Sequence, residues 1–126
     1  MGCNLQFNTG QIVSLECGNA CLYAEVIQIV EPRQICWARP LMLAVLESGK
    51  DAFDRAWEDG TLYDLREGAD LLWPLNLFHA AVDVEVISLL TQLQSLDPKK
   101  KDAALASRQL REFVDRVWEA HPQAFS

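Results

Sequence analysis

The apolar positions of this chain differ in period between its two ends. From Gln11 to Leu46 they alternate or gather in short runs, whereas from Asp83 onward they recur every three or four residues. The first pattern is that of strands and the second that of helices. In Gln11–Cys17, Val13, Leu15 and Cys17 share one side and Ser14 and Glu16 the other. Gly18-Asn19-Ala20 interrupts the alternation, and because Gly and Asn tolerate positive φ it predicts a tight hairpin turn. Cys21–Val30 follows, apolar on both sides with only Glu25 and Gln28 polar. Such a strand bends across two layers or is covered on its second face. Glu31-Pro32-Arg33 predicts the next turn. Gln34–Ala38 and Leu41–Leu46 read as further strands, broken at Pro40 because proline cannot donate to a ladder.

Glu47-Ser48-Gly49 closes this half. In Asp51–Glu58, Phe53, Ala56 and Trp57 stand at helical spacing, which predicts a short helix ended at Gly60. Thr61–Leu65 and Ala69–Trp73 are expected to form a last hairpin around Arg66-Glu67-Gly68. Asp83 is an N-cap candidate for a helix carrying Val86, Ile87, Leu90, Leu93 and Leu96. Asp97-Pro98 breaks that helix and opens another. In the last helix Ala103, Ala106, Leu110, Phe113, Val117 and Ala120 form one stripe, opposite Arg108, Arg111, Glu112, Asp115 and Glu119. The expected fold is α+β: a small SH3-like, partly open β-barrel over residues 1–82, with a short inserted helix. A C-terminal antiparallel helical hairpin over 83–126 packs on it as part of a single compact unit.

The strand YAEVIQIV (Tyr23–Val30) is loosely similar to SH3-like barrels of the KOW and Tudor kind, over about ten residues. ICWARPLML (Ile35–Leu43) combined with YDLREGADLLWP (Tyr63–Pro74) resembles small uncharacterised proteins of cyanobacteria over much of the chain. That second resemblance implies a bacterial cytosol and brings no catalytic motif with it.

Composition narrows the function. The 126 residues make one domain, long enough to bury a core without disulfides or metal. The net charge is −7, of which residues 47–82 carry −5, from 3 basic and 8 acidic groups. This field repels phosphate backbones and anionic lipid, which disfavours nucleic acid as a partner. No signal-peptide pattern opens the sequence. Met1-Gly2-Cys3 begins like a myristoylation site, but Gln6 stands where Ser or Thr is required. The chargeless run Leu71–Val82 holds Pro74 and is shorter than the roughly 20 residues of a membrane span. A cytoplasmic location is expected.

Candidate chemistry is sparse. Cys17 and Cys21 flank the first turn at a Cys-x3-Cys spacing within the range of zinc ligands, with Cys3 and Cys36 as isolated companions. The competing reading is that these thiols fill small core gaps. His79 stands four residues before Asp83, the beginning of a His–Asp pair, but no cysteine or serine lies in a nucleophile motif. Asp51, Asp54, Glu58 and Asp59 cluster without the spacing of a calcium loop. Phosphate-binding glycine motifs are absent. Without a catalytic constellation, the sequence points to a non-enzymatic protein-interaction or adaptor module. Its expected contacts are the acidic Asp51, Asp54, Glu58 and Asp59 together with the apolar corner of Trp73 and Phe78, facing a protein with a basic surface. Self-association through the last helix is a further expectation. The alternatives are a nucleic-acid-binding barrel, or a small zinc or thiol-redox protein using Cys17 and Cys21.

Overall fold

The computed structural model describes residues 7–46, 61–81, 83–95 and 103–125. Among these residues six strands, β1 (Ile12–Cys17), β2 (Ala20–Val30), β3 (Ile35–Val45), β4 (Thr61–Asp64), β5 (Leu71–Pro74) and β6 (His79–Ala80), precede two α-helices, α1 (Asp83–Gln94) and α2 (Ala103–Ala120). The strands form one antiparallel sheet in the order β4-β3-β2-β1-β6, with β5 also on β3. The sheet is open. The expected barrel is not closed, because the path ends at β4 and β5 on one side and at the two-residue β6 on the other. The predicted helix at Asp51–Glu58 lies outside the described residues.

The β1–β2 turn forms as its residues suggest. Cys17 pairs with Ala20, and Gly18 takes the positive φ of 60° that a two-residue hairpin loop with glycine first requires. Asn19 then ties the turn to distant parts. Its amide nitrogen donates to the Leu46 carbonyl at 2.6 Å, and its amide oxygen accepts from Arg116 of α2 at 2.9 Å.

Two expectations about strands are corrected. First, β3 does not break at Pro40 but runs through it, with Pro40 opposite Ala24 and Leu41 as a bulge before Met42 resumes opposite Tyr23. The proline falls where β3 has no ladder partner on its other side, since β4 pairs only with Met42–Val45 and β5 only with Ile35–Ala38. A missing N–H costs little at such a gap. Second, Thr61–Leu65 and Ala69–Trp73 are not a hairpin. β4 and β5 both pair antiparallel with β3, one after the other along the same edge. Arg66-Glu67-Gly68 therefore turns out and back without reversing the chain.

The bulges decide which side chains meet. An extra residue reverses the alternation beyond it. On β3, Cys36 and Ala38 share one core cluster with Leu43, not with Met42 or Ala44, because Leu41 intervenes. On β2, Ala20, Leu22, Ala24 and Val26 face that same cluster until the register shifts at Ile27, after which Ile29 takes up the side. The sheet is thus apolar on both faces, as the long Cys21–Val30 run predicted.

Each face has its own helix. On the first, Ala106, Phe113 and Val117 of α2 join Val13, Leu15, Leu22, Trp73 and Phe78. On the second, Val86, Leu89 and Leu93 of α1 join Cys21, Tyr23, Met42 and Ala44. The Tyr23 hydroxyl reaches across to donate to Glu85 of α1. The helices therefore cover opposite faces rather than lying together on one side as the expected hairpin would. In α1 the buried positions are Val86, Leu89 and Leu93, and Ile87 points outward. Among the described residues no helix is long and apolar enough to cross a membrane.

Candidate functional site

Helix α1 covers only half of the second face. Cys21, Tyr23, Met42 and Ala44 beneath it are buried. Beyond Tyr23 and Met42 the same face continues through Glu25, Arg39, Gln28, Trp37 and Leu72, none of them buried. Register places these residues together: Glu25 opposite Arg39, Gln28 opposite Trp37, and Trp37 opposite Leu72. Leu72 is 65% exposed on a regular strand.

Asp70 organises this half. It accepts from Trp37 Nε1 at 2.8 Å and from Arg39 Nε at 3.1 Å, with Arg39 Nη2 at 3.4 Å from its second oxygen. These bonds hold its carboxyl below the usual carboxylate range, the Arg39 contact acting most strongly and the Trp37 bond next. Arg39 is held more firmly protonated by the same carboxylate. The indole and the guanidinium are therefore fixed in orientation before anything binds. An oriented Trp and Arg beside an exposed Leu, on strands rather than loops, is a surface suited to recognition.

The residues singled out from the sequence are placed differently. Trp73 and Phe78, at 6% and 0% exposure, belong to the core under α2 and offer no surface. Asp51, Asp54, Glu58 and Asp59 lie outside the described residues. Cys17 and Cys21 are divided by the sheet: Cys17 packs against the α2-side cluster and Cys21 within the α1-side cluster. Strand alternation sends their side chains to opposite faces, so they do not converge on one ion. Burial raises the Cys17 thiol despite the nearby Arg116, and raises Cys36 to about 11. A reactive thiolate needs the opposite environment.

Among the described residues, clefts accompany the sheet. One, of about 800 Å³, lies between β1, β6 and the C-terminal turn, and both His79 and His121 line it with Glu16. Among the described residues no group of three His, Cys, Asp or Glu side chains is placed to hold a metal ion. The other, of about 780 Å³, separates the β4–β5 connection from the first half of α2, with Leu65, Leu110 and Val114 among its walls. Arg66 at its rim is already engaged by Asp64, at 3.0 Å from Nε and 2.8 Å from Nη2.

Sequence reasoning missed Arg39, Asp70 and Leu72. A signal was present in Leu71-Leu72-Trp73: three consecutive apolar residues in a strand cannot share one face, so one must point away from the core. Comparison of the chain with family models, with curated proteins and with solved structures gives no match.

Proposed function

We propose that this chain is a protein-interaction module whose contact surface is the uncovered half of the second sheet face, centred on Trp37 and Leu72. The observation that carries the reading is Leu72, 65% exposed beside a Trp that Asp70 holds in place. A solvated sheet face ordinarily alternates to polar residues. Trp and Arg are also the residue types over-represented where binding energy concentrates. Asp70 holds Trp37 and Arg39 in place through its own hydrogen bonds.

The test compares proteins captured from the native cell by the wild-type chain and by its Leu72→Asp and Trp37→Ala variants. Partners retained by the wild type should be lost from both. Identical sets captured by all three would remove the basis of the assignment.

A further inference from the structure

The cleft between the β4–β5 connection and the first half of α2 is walled chiefly by apolar side chains. Leu62 and Leu65 line it from the sheet side, and Leu105, Ala106, Leu110 and Val114 from the helix. Leu65 and Ala106 are buried, Leu62, Leu110 and Val114 are half-buried, and Leu105 is exposed. The walls grade from core to solvent, and an apolar body lying along them removes their outer parts from water.

The connection that forms one wall is held in shape by its own hydrogen bonds. The Leu65 N–H donates to the Leu41 carbonyl and the Gly68 N–H to the Leu65 carbonyl, each at 3.0 Å. The Arg66 N–H donates to the Asp64 carboxylate at 3.0 Å, and the Arg66 guanidinium donates to it at 3.0 and 2.8 Å. A wall fixed in this way keeps the cleft formed before a ligand arrives, as in small-molecule sites of about 300–1,000 Å³. At about 780 Å³ this cleft is of that size.

Its polar groups decide which class of molecule fits. Asp64 and Arg66 neutralise each other, and Glu67 also lies within electrostatic reach of Arg66. Arg111, which lines the opposite wall, has no ion-pair or hydrogen-bond partner for its side chain among the described residues. The same holds for the hydroxyls of Tyr63 and Ser107, which line the cleft with it. Ser107 stands four residues before Arg111 and so shares its side of α2. One cation and two hydroxyl donors beside apolar walls call for a ligand with an anionic acceptor at one end.

We propose that this cleft binds a small amphipathic carboxylate. The apolar body lies on Leu65, Leu110 and Val114, and the carboxylate accepts from Arg111, with the Ser107 or Tyr63 hydroxyl as a second donor. The planar guanidinium matches a carboxylate through two parallel hydrogen bonds. A single arginine also answers a single charge, whereas in a chain of net charge −7 a doubly charged head would leave one charge unbalanced. The helix wall from Ala103 to Val114 runs about 17 Å at the α-helical rise, room for an unbranched chain of medium length. The cleft stands on the α2 side of the sheet, away from Leu72, and does not depend on the interaction reading.

Calorimetric titration of the full chain with decanoate, below its micelle concentration, tests this. Decanoate is expected to bind saturably at one site per chain, with decan-1-ol and decyltrimethylammonium each weaker by about 10-fold or more. Arg111→Gln should weaken decanoate by about 10-fold and bring it level with decan-1-ol, as loss of one charge-assisted contact does. Arg108→Gln removes an equal charge from α2 outside the cleft and should leave binding unchanged, as should Leu72→Asp on the other sheet face. Ser107→Phe sets a ring into the cleft from an exposed position and should abolish binding of decanoate and decan-1-ol alike. Circular dichroism confirms folding, and Ser107→Leu replaces Ser107→Phe if that variant fails it. No saturable binding of decanoate, or decan-1-ol or decyltrimethylammonium binding as tightly, overturns the proposal. So does an equal loss in Arg108→Gln and Arg111→Gln, or decanoate that still binds the folded Ser107 variant.

Discussion

Arg116 and Asn19, 97 residues apart in the chain, share a hydrogen bond of 2.9 Å from Nη1 to Oδ1. Through it the last helix grips the first hairpin turn. The same Asn19 side chain donates to the Leu46 carbonyl at 2.6 Å, so one amide joins β1–β2, the end of β3 and α2.

Asn19→Ala should therefore cost more than Arg116→Ala. The asparagine change leaves two partners unmatched, for about 1–3 kcal/mol, whereas the arginine change removes one bond, for about 1 kcal/mol. The double variant should be less unstable than the sum of the two by about 0.5–1.5 kcal/mol, the coupling of a direct pair. Urea unfolding of the four proteins gives these values. Strict additivity would mean the two side chains do not interact in solution.

The Asp70 carboxyl, depressed first by Arg39 and then by Trp37, binds its proton less readily folded than unfolded. Its contribution to stability is thus present above the unfolded Asp value of about 3.9 and is lost as pH falls through the lower folded value. Carbon-13 titration of the Asp70 carboxyl should give a midpoint below 3.9. Trp37→Phe should move that midpoint upward, and Arg39→Gln should move it further. A midpoint unchanged by both variants would separate Asp70 from the two side chains that make the surface.

How much of this was legible in advance depended on whether the cause was local. The Gly18-Asn19 turn, the two-faced β2 strand and the Asp83 start of α1 each follow from adjacent residues, and each forms where the pattern placed it. What was not legible depends on meetings across the sheet. Arg66-Glu67-Gly68 is chemically a turn, yet only the β3 edge decides whether the strands around it pair with each other or with β3. Leu90 and Ile87 are equally apolar in sequence, yet one packs on the second face and the other points to solvent. Trp37 and Trp73 both lie on strands, three residues and one residue before a proline. The pairing of Cys36 with Trp73 places Trp73 on the core side, and the pairing of Trp37 with Leu72 leaves Trp37 at the surface.

The cysteines offer a separate check. With Cys3 replaced by Ser, native protein treated with a thiol reagent at mildly alkaline pH should react first at Cys17, which is only partly buried. Cys21 and Cys36 should react at the rate of unfolding, being 1% and 0% exposed, with Cys36 also raised to about 11. Added zinc should protect neither Cys17 nor Cys21, because the sheet separates them. Joint protection of that pair by zinc, reversed by a chelator, would show that they share an ion after all.

The bulge at Leu41 carries the sharpest prediction. Met42 and Ala44 face α1, while Cys36 and Ala38 face α2, and Leu41 between them is an extra residue that takes no place in the pairing with β2. Deleting Leu41 would make Pro40, opposite Ala24, and Met42, opposite Tyr23, neighbours in a regular ladder. Simple alternation then keeps Cys36 and Ala38 on the α2 side and Met42 and Ala44 on the α1 side. The deletion should therefore still unfold cooperatively, at a cost of about 1–3 kcal/mol for the Leu65 N–H that donates to the Leu41 carbonyl. Leu41→Ala, which keeps the bulge and trims a half-buried side chain, should fold and lose about 1–2 kcal/mol. Deleting exposed Gly68 from the connection that loops out between β4 and β5 should also be tolerated. Thermal denaturation of the three variants separates the contribution of the extra residue from that of its side chain. Loss of a cooperative transition in the Leu41 deletion, with Leu41→Ala folded, would contradict the assignment of the two faces from which both the buried core and the exposed Trp37 surface derive.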